Sequence, residues 1–505
     1  MAATAGSRLF GQAPGNIRTD RPVAAQGVMS GDVVPGRAMI WSRSDRPSRM
    51  FVTWKVGDKG DVKKVLGPHC LDTSDYTGRV ELTDLPAGEL ISYEVQFQSL
   101  TSPRSMSEPV KGSFRTAPGD GRDVRFLWGG DTCGQGWGIN EDLGGMRTYD
   151  AMRRRGADFF IHSGDTIYAD GPIVAEVTLP GRGQWKNVVT EEKSKVAETL
   201  AEFRGAHKYN LLDANVRAFN AETSQIWQWD DHEITNNWSP SKDVGADTRY
   251  KEKDVPLMIG RGAKAFLEYA PVRYSSEETE RVYRKIPYGP LVDVFVIDMR
   301  TYRGPNTFNR QENSSDDTGY FGAPQMAWLK KGLKESKATW KVIASDMPIG
   351  LLVGDGKDSE GRDKFEAVAN GNGPVLGREI EIAELLRYMR FNNIKNTVWF
   401  TADTHYTAAH YYNPVNARFT DFDPFWEFMS GPLHAGSFGP NATDDTFGIE
   451  VVYKKHPPAG QANLPPSAGM QFYGEVNVSA KTLEMTVTLR DMQSTALFTK
   501  VLSPA

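Results

Sequence analysis

Four stretches of this chain place acids, an imidazole, a phenol or a thiol directly after a run of large apolar residues. F-L-W-G-G-D-T-C ends at Asp131 and Cys133, and F-F-I-H-S-G-D-T-I-Y ends at Asp165 and Tyr168. I-W-Q-W-D-D-H-E-I-T-N-N-W delivers Asp230, Asp231, His232 and Glu233, and V-W-F-T-A-D-T-H-Y ends at Asp403 and His405. An apolar run that stops abruptly at polar residues reads as a buried strand presenting them at its C-terminal end, where open α/β sheets place their sites. A single aspartate there is as readily a helix N-cap or a turn residue. Asp131, Asp165, Asp231, Asp403 and His405 together carry a stronger implication. Carboxylates gathered in a low-dielectric site cannot all stay ionised without compensating cations, so the set points to a metal centre.

Donor type narrows the ion. Oxygen ligands with one histidine suit hard or borderline cations, while Tyr168 and Cys133 as anionic donors favour trivalent iron. In G-D-x-x-Y, Tyr168 lies three residues after Asp165, within reach of one ion from a single loop. Asp131 and Cys133, two apart in an extended turn, are expected to point to the same side. The plain alternative for Cys133 is a small buried residue at a sheet end. His232, flanked by two acids, is open to two roles: metal ligand or general acid. His162, inside a strand, reads as a core or supporting histidine.

The elements that must position these residues follow from periodicity. From Gln26 to Thr116, short alternating segments separated by Gly, Pro and Asp turns predict a β-sandwich. They are 37–42, 50–56, 76–82, 91–98 and 110–116. Leu85-Pro86 followed by Tyr93 and Val95 has the look of a tyrosine corner of an immunoglobulin or fibronectin-type domain. Pro118–Gly121 is a linker. Beyond it strands alternate with helical stretches, predicting an α/β layered domain. The helices are placed at 146–155, 190–204, 324–335 and 378–389, and from Phe425 onward the chain reads mainly as strands. The divisions are an N-terminal extension at 1–23, a β-sandwich domain at 24–118 and a catalytic domain at 119–505.

Composition bounds the function. The 505 residues carry 59 Lys+Arg against 64 Asp+Glu, a formal net charge of -5, which supports no nucleic-acid-binding face. No apolar run approaches a transmembrane span. Two cysteines make no disulfide framework. The opening M-A-A-T-A-G-S-R-L-F has neither a basic nor an apolar signal region.

The ordered motifs G-G-D, G-D-T-I-Y, D-D-H-E and D-T-H-Y resemble those of the calcineurin-like metallophosphoesterases. More closely they are similar to the alkaline phosphatase D (PhoD) family, distant relatives of the purple acid phosphatases. G-V-M-S-G-D-V-V-P-G-R-A-M-I-W-S-R after Gln26 resembles the start of that family's N-terminal β domain, and S-G-P-L-H-A-G-S-F-G-P its late signature. The resemblance implies a four-layer αββα core with an immunoglobulin/fibronectin-like β-sandwich before it. It implies that Asp131, Asp165, Tyr168 and His405, with Cys133 as an additional iron ligand, hold a first ion. Asp165 bridges, and Asp231 and Asp403 hold a second site. Carboxylates where purple acid phosphatases have Asn and His favour a hard ion, so Fe3+ with Ca2+ is expected, with a Zn2+ or Mn2+ pair as the alternative. One position departs. Where relatives carry a further ligand histidine this chain reads V-I-A-S-D-M-P, so either Ser345 or Asp346 substitutes or the ligand is absent.

The chemistry implied is hydrolysis of phosphate monoesters and diesters, with a hydroxide made available by the ions attacking phosphorus in line. His232 is the candidate to protonate the leaving alkoxide, and Asn236, Asn237 and Arg300 are candidates to bind phosphate oxygens. A secreted phospholipase D with the same centre is the alternative, and a non-catalytic phosphate-ligand binding protein a third reading. Family members are usually exported, so a periplasmic or extracellular location is expected, with the export signal not present in this chain. The expected partner is a small phosphate-ester substrate, and oligomeric state is not legible.

Overall fold

A computed structural model describes residues 21–57, 59–179 and 183–505. Two sheets face each other across the principal core. The nine-stranded sheet runs, in spatial order, 496–502, 485–491, 472–478, 124–129, 159–163, 224–228, 28–34, 37–43 and 77–82. The seven-stranded sheet runs 284–288, 292–296, 340–344, 397–401, 425–429, 407–412 and 449–455.

Side-chain alternation along the strands builds the layers. Phe126, Trp128 and Ile161 of the first sheet point inward to meet Val294, Val342, Phe400 and Phe428 of the second. The rings of Trp128 and Phe400 lie 4.5 Å apart between centroids. The intervening residues Leu127, Phe160 and Trp227 face outward against Phe203, Phe219 and Phe266 on the helices Leu200–Asn210, Ala214–Glu222 and Val255–Tyr269. On the far side, Phe295, Ile343 and Trp399 pack against Leu329, Leu333, Ile382 and Leu386 of the helices Ala323–Glu335 and Glu379–Phe391. This is the αββα sandwich. Because the site strands are buried on both faces, they read as continuous apolar runs rather than alternating ones.

The N-terminal β region is joined to this core more intimately than a domain on a linker. Strands Ser48–Val56, Lys63–Cys70, Leu90–Ser99 and Val110–Arg115 form their own four-stranded sheet. Strands Val28–Val34, Arg37–Arg43 and Thr77–Leu82 instead extend the nine-stranded sheet, where Gly31 pairs in parallel with Gln225. Any side chain at Gly31 would run into Pro271 and the Gln225 carbonyl, 2.4 and 2.8 Å from an added Cβ, so glycine is required for this close approach.

Some sequence expectations shift. The helix expected at 190–204 begins only at Leu200, because Thr199 and Glu202 form a capping box that starts it there. The helices at 214–222 and 255–269 and the strands Lys63–Cys70 and Thr407–Tyr412 escaped the reading. Tyr93 is fully buried but makes no corner: its hydroxyl lies beside Ser30 and has no hydrogen-bond partner on the upstream backbone.

Candidate metal centre

Parallel strands end on the same side, and four of them end here. Val124–Gly129, Phe159–Ser163 and Ser224–Gln228 are mutually parallel in the first sheet and lead into Asp131, Asp165 and Asp231. Thr397–Thr401 of the second sheet leads into Asp403 and His405. The loops leave the strands through an uncommon conformation. Asp131, Cys133, Asp165, Asp403 and His405 all have left-handed backbones, with φ of 68, 67, 50, 68 and 61°. Such residues cost of order 1–3 kcal/mol each and persist where packing over-determines them, characteristically at functional sites. Backbone bonds do the holding: the Asp131 and Thr132 N–H groups donate to the carbonyls of Gly164 and Asp165, at 3.3 and 3.0 Å.

The result is three overlapping sets of potential ligands, each with its atoms within 4.8 Å of one another: Asp131, Asp165 and His405; Asp165, Asp231 and His232; Asp230, Asp231 and Asp403. Asp165 and Asp231 are shared, as two adjacent ions would require. His405 Nδ1 donates to the Gly436 carbonyl at 2.5 Å, which leaves Nε2 as the acceptor facing Tyr168 Oη at 2.7 Å and Asp131 at 3.8 Å. The donors also fit an ion by what they lack. Among the described residues, both Asp131 carboxylate oxygens and Asp231 Oδ1 are buried with no hydrogen-bond partner, a costly condition that a cation relieves.

The electrostatics agree. Burial first, and neighbouring acids after it, push Asp131 up to about 8 and Asp165 and Asp403 well above the carboxylate range. Burial works in the same direction on Asp231, but His232, Arg300 and the Asn237 N–H outweigh it and hold this acid down at about 2. The Asn237 N–H reaches Asp231 Oδ2 at 2.5 Å. Burial opposes the charge on His232, yet Asp170, Asp231 and Asp165 raise its pKa well above the ordinary value. Asp170 Oδ1 lies 2.7 Å from His232 Nδ1, and its other oxygen accepts the Asn236 N–H at 2.8 Å. The Tyr168 ring stacks on His232 with centroids 4.2 Å apart.

Two of the expected site residues have other surroundings than the sequence suggested. Arg300 is wholly buried and is no phosphate clamp: it bonds Asp230 and Glu366, and Asp346 Oδ2 at 3.2 Å, beneath the centre. That pairing also accounts for Asp346. Ser345 turns its hydroxyl aside to the Met347 carbonyl at 2.9 Å, and Asp346 does not join the ligand sets among the described residues. Cys133 is the second. The turn is not extended, and left-handed backbones at 131 and 133 undo the expected alternation. Its side chain packs with Ile139, Met146 and Tyr149 in the outer apolar cluster, burial pushes the thiol upward, and Sγ stays outside the ligand sets. Asn236 is exposed, whereas the Asn237 carboxamide donates to Asp355 at 3.0 Å.

Several supporting residues escaped the sequence reading. Asp170, two residues past Tyr168 in G-D-T-I-Y-A-D, holds His232. Lys193 is buried and donates to the carbonyls of Tyr168 and Gly171, clamping that loop. Glu233 accepts from the Thr166 N–H at 2.6 Å and the Asp230 N–H at 2.8 Å, tying two ligand loops together.

Paired sheets whose strand ends converge on carboxylates and histidine define the class of the fold: an αββα sandwich with a candidate metal centre at its strand ends. A family model described as PhoD-like phosphatase matches residues 126–489, and one described as PhoD-like phosphatase, N-terminal domain, matches residues 11–118. The chain belongs to the PhoD-like phosphatase family and is a hydrolase of phosphoric ester bonds. It is 24% identical over 459 residues to alkaline phosphatase D of Bacillus subtilis (strain 168), covering 85% of this chain and 72% of that protein. The solved structure of PhoD superposes with a TM-score of 0.70 at 20% identity, covering 97% of this chain and 90% of that one. The purple acid phosphatase PPD1 from yellow lupin (Lupinus luteus) seeds shares the fold with a TM-score of 0.56 at 12% identity, covering 96% and 74%.

Proposed function

We propose that the chain hydrolyses phosphate monoesters and diesters at a centre held by Asp131, Asp165, Tyr168 and His405 on one side and Asp231 and Asp403 on the other, with Asp165 between. The observation that carries this reading is the overlap of the ligand sets through Asp165 and Asp231. Bound ions supply Lewis acidity, which makes a hydroxide available at neutral pH and offsets the charge that builds on phosphorus. The resemblance to relatives and the phenol of Tyr168 favour iron at the first site, and the carboxylates Asp231 and Asp403 favour calcium at the second.

The chain's own residues do the remainder. His232, positively charged and oriented by Asp170, stands beside Asp231 with Nε2 at 3.8 Å and gives its proton to the leaving oxygen. Asn236 stands at the same loop and is exposed, which leaves its carboxamide available to an ester phosphate. Export to the periplasm or exterior is the location the family resemblance favours, checked by fractionating cells that express the full gene. No helix among the described residues is long and apolar enough to cross a membrane.

Metal analysis of purified protein together with assay of His232→Ala tests the reading. Iron with calcium, and a fall of about 10²–10⁴ in turnover of p-nitrophenyl phosphate, are expected. Unchanged turnover in the variant would remove His232 from the mechanism, and protein free of bound metal with full activity would remove the centre.

A further inference from the structure

Beside the second ligand site, Asn237 turns its backbone N–H to Asp231 and its carboxamide to Asp355. Asp355 sits on a hairpin, Gly354–Lys357 paired with Asp363–Phe365. Asn306 donates to the second Asp355 oxygen and to the Asn237 carbonyl, both at 3.0 Å, so the carboxylate is fixed from two sides. Two lysines from different segments then converge on it: Lys242 Nζ at 3.6 Å and Lys364 Nζ at 3.6 Å.

What distinguishes these two ammonium groups is that both face one fixed carboxylate. At 3.6 Å the pairing with Asp355 is electrostatic and lies beyond hydrogen-bond length. Among the described residues neither ammonium donates a hydrogen bond. Each has three donors to place. The side chains are 22% and 29% exposed, half-sunk rather than waving in solvent, while Asp355 is 13% exposed. By contrast the other charges on the hairpin are spoken for: Lys357 donates to Asp363 and Arg362 to Asp358, both at 2.7 Å. Two cations around one anion leave a net positive charge in a chain whose overall balance is -5. The two lysines are thus preset, desolvated in part, and lack an acceptor.

We propose that Lys242 and Lys364, spread around Asp355, form an anion subsite beside the metal centre that selects phosphate esters whose leaving group carries a second negative charge. The proposal rests on the phosphoesterase reading above. The ester phosphate occupies the centre next to Asp231, and the second anionic group, a carboxylate or another phosphate, takes the free ammonium donors. Asp355 acts as a spacer, keeping the lysines apart and away from the ligand acids, toward which two mobile ammonium groups would otherwise be drawn.

Steady-state kinetics on three aryl esters test it: phenyl phosphate, para-carboxyphenyl phosphate and hydroquinone bisphosphate. In the K242M/K364M double variant KM should rise about tenfold for either or both anionic esters, the size of one lost charge-assisted hydrogen bond. Phenyl phosphate should keep its KM, and kcat should hold for all three. K242R/K364R, which keeps the charge, should recover KM toward the wild-type value. A rise for one anionic ester alone supports the subsite and identifies its ligand as carboxylate or phosphate. Equal KM changes for all three esters, or none, overturn it. A wild-type enzyme that hydrolyses none of the three would instead sink the monoester part of the proposed function, and the subsite that rests on it.

Discussion

Asp230 and Asp231 are consecutive in the chain and serve two different kinds of acidic cluster. Asp230 Oδ1 faces Arg300, which also takes Asp346 and Glu366, so each acid of that node has a guanidinium partner from the chain itself. Asp231 faces the strand-end acids, where Asp131 has no partner for either oxygen. The node holds its own cation; the centre leaves one to be supplied. Buried acid beside a built-in arginine is architecture, whereas buried acid without one is an invitation to a metal ion. Removing one partner from each should therefore produce opposite signatures.

The largest contrast is expected at the centre. Asp131→Asn should lower kcat about a thousandfold on p-nitrophenyl phosphate, while the metal-free variant should melt no lower than metal-free wild type, because a buried acid without a hydrogen-bond partner has gone. A variant that loses stability and keeps activity would reverse the assignment of the two clusters. Arg300→Met should do the converse: about 3–5 kcal/mol of stability lost by denaturant titration, with metal present or absent, since the three acids lose their shared cation.

Chelation sharpens the comparison through pH. Asp131 is pushed up to about 8 without its ion, above its unfolded value, so the metal-free native state binds more protons than the unfolded one. Its stability should fall as pH rises from about 4 to about 8. Melting curves with chelator should show that decline, and added metal should flatten it; parallel curves would show the acids to be satisfied without an ion. Next comes Asp170→Asn. Loss of the partner of His232 should slow alkyl esters about 10–100-fold and p-nitrophenyl phosphate less, because a good leaving group needs little protonation. Cys133→Ala is expected to be mildest, about 1–2 kcal/mol of packing with bound metal unchanged. Loss of iron on that substitution would bring the thiol back into the centre.

The sequence made the strand ends legible because a strand buried on both faces has to be apolar until it stops, and polar residues at the stop are conspicuous. Asp131, Asp165, Asp231, Asp403 and His405 were visible for that reason, and the ordered motifs led to the family. What depended on side-chain direction or on distant pairing was not visible. Cys133 looked like a ligand because the spacing assumed an extended turn, and nothing local declares a left-handed one at a non-glycine residue. Arg300 looked like a phosphate clamp because its partners, Asp230 and Glu366, lie 70 and 66 residues away. The β-sandwich was predicted from real strands, yet two of them, 37–42 and 76–82, extend the nine-stranded sheet, since periodicity gives a strand's faces and never its neighbours.

The pairing of Gly31 with Gln225 bears on how the centre is assembled. In the nine-stranded sheet the three site strands lie between 28–34 on one side and 472–478 on the other, drawn from opposite ends of the described chain. The loops that carry Asp131, Asp165 and Asp231 are therefore flanked by segments separated by most of the polypeptide. Closure of such long-range contacts is slow and late in folding. Turnover should consequently be among the last properties to appear during refolding and among the first to vanish when either flank is loosened, making catalysis a gauge of whether both ends of the molecule have come home.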